Sequence, residues 1–122
     1  MDFKNLLAYQ KSFDLAMDIY EVSKQFPKEE TYSLTEQLRR SSRSVSANIS
    51  ESYRKGLDPR HYVSKLTDAD AENSETFTWL KFTLACNYID ELTFLNLNTK
   101  SLEVGKLINC MINNPDKFGV KP

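Results

Sequence analysis

Glycine and proline are scarce in this chain, with three Gly and four Pro among 122 residues. These two residues form most tight turns, so their scarcity argues against an all-β protein with many hairpins. Histidine occurs once and cysteine twice, as His61, Cys86 and Cys110. Their number and spacing match neither a disulfide framework nor a zinc site. We therefore predict no bound metal, and two cysteines that pack between helices.

The chain also lacks a long apolar run and an excess of charge of one sign. No stretch approaches the ~18–20 apolar residues that span a bilayer, and residues 1–5 lack the apolar core of a signal peptide. We therefore expect a cytoplasmic protein without a membrane partner. The 16 Lys and Arg residues against 17 Asp and Glu residues give a net charge of −1, which excludes a globally basic nucleic-acid binder. A local basic face is compatible with that balance.

Four segments carry apolar residues at steps of three and four, which is the spacing of amphipathic helices. They cover about residues 5–25, 34–55, 58–89 and 91–113. This order predicts an all-α fold, an up-down-up-down antiparallel four-helix bundle over residues 1–115. A flexible C-terminal tail is expected over residues 116–122. Poor helix formers at residues 96–99 allow a break in the fourth helix.

Polar residues mark the expected ends of these helices. Ser33 followed by Glu36 matches a capping box at the start of the second helix. Asp58, which precedes a proline, and Asp90 are the expected N-caps of the third and fourth helices. Gly56 is expected to end the second helix as a left-handed glycine.

The first and third helices each carry two apolar stripes, more than a helix of a monomeric bundle needs to bury. In the first helix, one stripe includes Phe13 and Met17 and the other includes Leu15 and Ile19. In the third helix, the extra stripe lies opposite the main apolar face. We predict that this extra stripe forms the contact between copies of a homo-oligomer; the alternative is that the fourth helix covers it. Its residues are Trp79, Phe82, Cys86 and Ile89.

Residues 31–60 carry a local excess of positive charge, six basic against three acidic residues, for a net +3. Arginine suits phosphate oxygens, so this helix face is a candidate nucleic-acid-binding surface without sequence preference. Its residues are Arg39, Arg40, Arg43, Arg54, Lys55 and Arg60. Alternatively, some of these arginines pair with acidic residues and lock the second helix to the third. The candidate acids are Glu51, Asp68, Glu72 and Glu75. Only Tyr53 interleaves with the basic residues as an aromatic, so base stacking is not predicted.

No arrangement of residues indicates catalysis, and we predict a non-catalytic protein without a cofactor or a small-molecule substrate. Neither Glu72 nor Glu75 is followed by histidine three residues on, as a di-metal site in a helical bundle requires. The clustered serines of the second helix lack a neighbouring base. We instead assign structural polar roles to Asn48, Glu51 and Glu75. The Asn48 amide is expected to hydrogen-bond to an adjacent helix.

One stretch of the chain carries a recognisable motif. It reads YSLTEQLRRSSRSV over residues 32–45, with Asn-Ile-Ser-Glu at 48–51 and Phe-Pro-Lys-Glu-Glu at 26–30. In these residues the chain resembles the four-helix-bundle proteins of the 23S rRNA intervening-sequence protein family. Ser41 and Ser42 replace two alanines of the family pattern, and Ser52 replaces its glycine. Ala71 and Glu72 replace a Gly-Ser pair on the third helix.

The resemblance implies a homopentamer of four-helix protomers. It also implies a relation to the accessory variability protein of diversity-generating retroelements, which carries a basic surface and associates with a reverse transcriptase and nucleic acid. The expected partners are therefore further copies of this chain, and either nucleic acid or a reverse transcriptase. The alternative function is a protein–protein scaffold or assembly module with no nucleic-acid role. Salt separates the two, because binding to phosphate weakens steeply with salt.

Overall fold

The computed structural model describes residues 2–54 and 58–120, and within these ranges every regular element is helical. Each long helix packs antiparallel on the one before it, and the fourth packs back on the first. The predicted all-α up-down-up-down four-helix bundle is therefore confirmed. Short 3₁₀ turns occur at Phe3–Asn5, Lys28–Glu30 and Pro115–Phe118. The four long helices are α1 (Leu7–Ser23), α2 (Leu34–Ser52), α3 (Pro59–Ala85) and α4 (Glu91–Asn113).

Two of the predicted helix caps are present. The Asp58 carboxylate accepts from the backbone N–H of Arg60 at 2.9 Å, and the Asp90 carboxylate accepts from that of Thr93 at 2.7 Å. Both acids are therefore the N-caps that the sequence predicted. Helix α4 continues through residues 96–99 without a break, because burial of its apolar face outweighs the low helix propensity of those residues.

The start of α2 differs from the predicted capping box. The Ser33 hydroxyl donates to Oε1 of Glu30 at 2.5 Å, and the backbone N–H of Leu34 donates to the same oxygen at 3.5 Å. The backbone N–H of Ser33, which Glu36 would accept in a capping box, donates instead to the Glu30 carbonyl at 3.1 Å. The 3₁₀ turn before α2 brings Glu30 to the helix start, and its carboxylate takes the capping role.

Helices α2 and α3 both end earlier than predicted. Helix α2 ends at Ser52, and the predicted terminal glycine, Gly56, lies outside the described residues. Helix α3 ends at Ala85, and the chain turns at Asn87, whose φ is 61°. Asparagine tolerates this left-handed conformation better than most residues, which makes it a common helix terminator.

The core contains large apolar side chains from all four helices. In α1 the stripe with Leu15 and Ile19 faces the core, and Phe13 and Met17 are left 48% and 46% exposed. In α4 the predicted apolar face is buried along its whole length. The core residues of the other helices include Leu38, Val45, Ile49, Tyr62, Leu66 and Leu80.

Small polar side chains lie where the helices pack most closely. The hydroxyls of Ser12 and Ser46 are 2.9 Å apart and join α1 to α2. The Thr76 hydroxyl donates to Oγ of Ser41 at 2.9 Å and joins α3 to α2. All four residues are buried, so these bonds satisfy polar groups that would otherwise destabilise the core.

Asn73 joins α3 to α4 by two hydrogen bonds to one residue. Its Nδ2 donates to the Ser101 carbonyl at 2.9 Å, and its Oδ1 accepts from the Ser101 hydroxyl at 3.2 Å. Gly105, one turn further along α4, leaves the space that the Asn73 amide occupies. A Cβ at Gly105 would lie 3.3 Å from Nδ2 of Asn73.

The described part of the expected flexible tail packs on the bundle. Residues Pro115–Phe118 form a 3₁₀ turn, and Val120 is completely buried. Phe118 also packs against the core, so the removal of apolar side chains from water holds this segment in place. Lys121 and Pro122 lie outside the described residues. The folded unit therefore extends beyond residue 115, at least to Val120.

Both cysteines are exposed and free, contrary to the prediction that they pack between helices. Cys86 directly follows the last residue of α3, and Cys110 lies on the outer side of α4. The buried face of α4 passes through Ile108 and Met111 instead. Within the described ranges, no helix is both long enough and apolar enough to cross a bilayer.

Candidate nucleic-acid interface

A cleft of about 570 Å³ opens on the exposed side of α2 and is lined by three of the predicted arginines. Arg43 lies four residues after Arg39 and three after Arg40, the spacings that bring side chains to the same side of a helix. We call this feature the arginine cleft. Its other lining residues are Thr31, Tyr32, Thr35, Glu36, Ser44 and Ala47.

Tyr20 of α1 supports two of these arginines. The guanidinium carbon of Arg39 lies 4.8 Å from the Tyr20 ring centroid, and that of Arg43 lies 5.7 Å from it. Nζ of Lys24 lies 4.8 Å from the same ring. Nε of Arg39 also donates to the Ser23 hydroxyl at 2.7 Å. Three cations are thus held around one aromatic ring, which attracts them through its electron-rich face.

Arg39 and Arg43 keep their charges unneutralised by a direct partner. In residues 2–54 and 58–120, neither forms an ion pair with a carboxylate. Arg39 uses Nε for its bond to Ser23, which leaves its terminal nitrogens as donors for a ligand. Both side chains are therefore held in place and remain able to bind an anion.

Arg40, by contrast, pairs with α3, as the alternative interpretation proposed for some of these residues. Its Nη1 lies 3.3 Å from Glu72 Oε2, and its Nη2 lies 2.5 Å from Glu75 Oε1. The same Glu75 oxygen accepts from Nε1 of Trp79 at 3.1 Å. Glu75 thus links α2 to α3, and the two carboxylates offset the positive charge of Arg40.

The remaining basic residues lie elsewhere on the protomer. Arg54 follows the end of α2, roughly 15 Å along the helix axis from Arg43, and is exposed. The Arg60 side chain is 95% exposed, with Nε 3.8 Å from Asp58. Lys55 lies outside the described residues. Of the described members of the predicted set, only Arg39, Arg40 and Arg43 line one cleft.

The other two predicted structural polar residues make different contacts. Glu51 Oε2 lies 3.0 Å from Nζ of Lys65 on α3, and the hydrogen bond from Lys65 lowers the pKa of Glu51. Nδ2 of Asn48 donates to the Ser44 carbonyl at 2.9 Å. That bond lies within α2 and does not reach an adjacent helix, so the predicted interhelical bond of Asn48 is wrong. A carbonyl one turn earlier is the nearest acceptor for an amide on the helix surface.

Three of the four predicted interface residues lie together at one end of the bundle. Trp79 and Phe82 have ring centroids 5.9 Å apart, and the Phe82 side chain is 52% exposed. With the exposed Cys86 they line a cleft of about 380 Å³, whose other wall is the start of α2 rather than α4. Trp79 and Ile89 both pack against the core, but Ile89 does not line this cleft. We call Trp79, Phe82 and Cys86 the α3 patch.

Sequence reasoning missed two aromatic residues of the site. Tyr20 lies in α1, on the same apolar stripe as Phe13 and Met17, and helical periodicity does not give the distance of its ring from residues of α2. Tyr32 precedes α2, where periodicity gives no face at all, and it is 89% exposed on the wall of the arginine cleft. Within the described ranges, no group of three His, Cys, Asp or Glu side chains is placed to hold a metal ion.

The chain matches a known family over most of its length. Residues 4–110 match the family described as 23S rRNA-intervening sequence protein. A solved structure from Bacteroides thetaiotaomicron, a protein of unknown function from the S23 ribosomal protein family, is 28% identical with a TM-score of 0.80; the alignment covers 88% of this chain and 96% of that chain. No curated protein matches this chain. The extent of the first match shows that the chain belongs to the 23S rRNA-intervening sequence protein family.

Proposed function

We propose that this protein is a non-catalytic homo-oligomer that binds nucleic acid without sequence preference through the arginine cleft. The observation that carries the proposal is the arrangement of Arg39 and Arg43, which stack on Tyr20 and pair with no carboxylate in the described ranges. Stacking holds the two guanidinium groups side by side without neutralising them. Phosphate groups along a nucleic-acid backbone are the ligands that suit such a pair.

The other basic residues have lesser roles in this proposal. Glu72 and Glu75 neutralise most of the charge of Arg40. Arg54 and Arg60 add to the positive field of the protomer from outside the cleft. Lys55 adds one more positive charge to the chain. Because phosphate contacts carry no base information, RNA and DNA of any sequence are expected to bind.

The α3 patch is the proposed contact between copies. Phe82 is 52% exposed beside Trp79, and burial against a second protomer would remove this apolar surface from water. A pentamer, as the family resemblance implies, would repeat the arginine cleft around a ring. Repetition converts a weak site into a strong one for a long polyanion. A reverse transcriptase is the protein partner that fits the same proposal.

The experiment compares binding of labelled nucleic acid to the unmutated protein and to the double variant Arg39→Gln/Arg43→Gln. Fluorescence anisotropy is measured between ~50 and ~200 mM salt. We expect the double variant to bind at least about tenfold more weakly, with a salt slope lower by roughly two, since about one phosphate contact is lost per arginine. The control Lys106→Gln/Lys117→Gln makes the same change in net charge outside the cleft, and should bind like the unmutated protein.

Two results would contradict the proposal. Equal losses in the cleft variant and the lysine control would mean that net charge, and not the cleft, governs binding. No binding of DNA or RNA by the unmutated protein at ~50 mM salt would remove the nucleic-acid role. In that case a protein–protein scaffold becomes the better function, since the exposed Phe82 of the α3 patch suits apolar docking that salt does not weaken.

A further inference from the structure

Tyr32 is the most exposed large hydrophobic residue of the described chain, at 89%. It lies in the turn between the 3₁₀ segment Lys28–Glu30 and α2, and its side chain forms part of the wall of the arginine cleft. A tyrosine ring that packs on nothing gives no stability to the bundle. It shares the cleft with Arg39 and Arg43, which pair with no carboxylate in residues 2–54 and 58–120, and this combination suits a ligand that has both a flat ring and negative charge.

The residues that suit a flat ring and those that suit negative charge come from different parts of the cleft wall. Tyr32 precedes the first residue of α2, whereas Arg39 and Arg43 lie one turn apart within the helix, roughly 8 and 14 Å along its axis from Leu34. Glu36 also lines the cleft, in the first turn of α2 and closer in sequence to Tyr32 than to Arg43. Its carboxylate disfavours a phosphate at the Tyr32 end, but can accept a hydrogen bond from an N–H group of a base. The Tyr32 end thus suits a base, and the Arg39–Arg43 end suits phosphates.

We propose that the arginine cleft binds an unpaired segment of nucleic acid, with a base stacked on Tyr32 and the adjoining phosphates on Arg39 and Arg43. This inference rests on the proposed function and narrows its ligand. In a duplex the faces of the bases are covered by their neighbours, and only their edges and the backbone are accessible. In a single strand the face of a base is free to stack on an aromatic side chain. Tyr32 therefore distinguishes unpaired from paired strands, which phosphate contacts alone do not.

The experiment measures binding of a labelled oligothymidine strand and of a labelled duplex of the same length, at one salt concentration. Tyr32→Ala is expected to weaken binding of the single strand at least about fivefold, the lower end of the usual stacking contribution. Binding of the duplex should stay unchanged. Tyr32→Phe keeps the ring and should bind both like the unmutated protein. Leu92→Ala is the matched control, because Leu92 is 77% exposed and lies outside the cleft.

The outcomes separate this inference from the proposed function. If the unmutated protein binds both ligands and Tyr32→Ala weakens both equally, or neither, the stacking role of Tyr32 is wrong while the arginine cleft stands. If Tyr32→Phe loses as much single-strand affinity as Tyr32→Ala, the hydroxyl and not the ring is the contact, which also overturns the inference. If the unmutated protein binds neither ligand, the proposed function itself fails. Circular dichroism of each variant confirms that the helices are retained.

Discussion

The Tyr88 hydroxyl donates a hydrogen bond of 2.9 Å to Oε2 of Glu30, across 58 residues of sequence. The bond ties the connection between α3 and α4 to the start of α2, where the other oxygen of Glu30 accepts from Ser33 and Leu34. The ring of Tyr88 also packs against Phe26, with centroids 5.7 Å apart. One carboxylate thus caps a helix and fixes the loop at this end of the bundle.

This bond predicts that the protein loses stability as the pH becomes alkaline. The hydrogen bond to Glu30 raises the pKa of Tyr88 from 10.0 to about 12. A raised folded-state pKa adds stability that is complete below 10.0 and is lost as the pH rises through about 12. We expect Tyr88→Phe to lower the thermal midpoint at neutral pH, and the difference from the unmutated protein to shrink over that alkaline range. Tyr32→Phe, which removes an exposed hydroxyl, is the control. A midpoint difference that stays constant with pH would contradict this account.

The same hydrogen bond also makes stability depend on acidic pH, where stability is lost as the pH falls. Hydrogen bonds from Ser33 and Tyr88 hold the pKa of Glu30 below its ordinary value of 4.5. The stability from this carboxylate is present above 4.5 and is lost as the pH falls through the lowered folded-state value. Glu30→Gln should therefore flatten the acid limb of the stability profile, measured as the urea midpoint against pH.

The contact between Asn73 and Gly105 gives a third prediction, made as a double-mutant cycle. Alanine in place of glycine inside a helix normally raises the free energy of unfolding by about 1 kcal/mol. A Cβ at Gly105 would lie 3.3 Å from Nδ2 of Asn73, which two bonds to Ser101 hold in place. We expect Gly105→Ala to lose this gain in the unmutated protein and to recover it in the Asn73→Ala background. Urea unfolding measures all four proteins, and an equal gain in both backgrounds would show that the two residues do not interact.

The α3 patch gives a fourth prediction. Phe82→Asp should convert the proposed oligomer to smaller species while the helical content is retained, because a carboxylate buried against apolar side chains is strongly unfavourable. Multi-angle light scattering measures the mass, and Leu92→Asp, at a site that is 77% exposed, is the control. If the unmutated protein is a monomer, the proposed oligomer does not exist. If Phe82→Asp and Leu92→Asp both dissociate the oligomer, the effect is not specific to the α3 patch, which contradicts the proposed contact.

The sequence predicted the elements better than it predicted which side of each helix is covered. Helix α4 has one apolar face, and Phe94, Leu97 and Val104 are buried as its spacing indicates. Helix α1 has two, and periodicity alone could not decide that Ile19 faces the core and Phe13 does not. Where two faces are equally apolar, the choice depends on the neighbouring helices, which a local pattern does not contain.

The candidate site shows the same limit at single residues. Arg39 and Arg40 are adjacent, and both were assigned to one basic face. In the structure, Arg39 stacks on Tyr20 of α1, whereas Arg40 pairs with Glu75 of α3. A rotation of about 100° per residue along a helix is enough to give neighbouring side chains different partners. Composition and local charge therefore identified the region, but the fold decides which of its charges are free.

Glu75 gives the chain an optical reporter of its own. Its Oε1 accepts from Arg40 in the arginine cleft and from the indole of Trp79 in the α3 patch, and Trp79 is the single tryptophan of the sequence. A phosphate bound by Arg39 and Arg43 brings negative charge into the cleft beside Arg40, and so changes the electric field at the Glu75–Trp79 pair. Ligand binding in the cleft should therefore shift the tryptophan fluorescence of the protein. Titrations can then be followed on the unlabelled chain through the emission of Trp79.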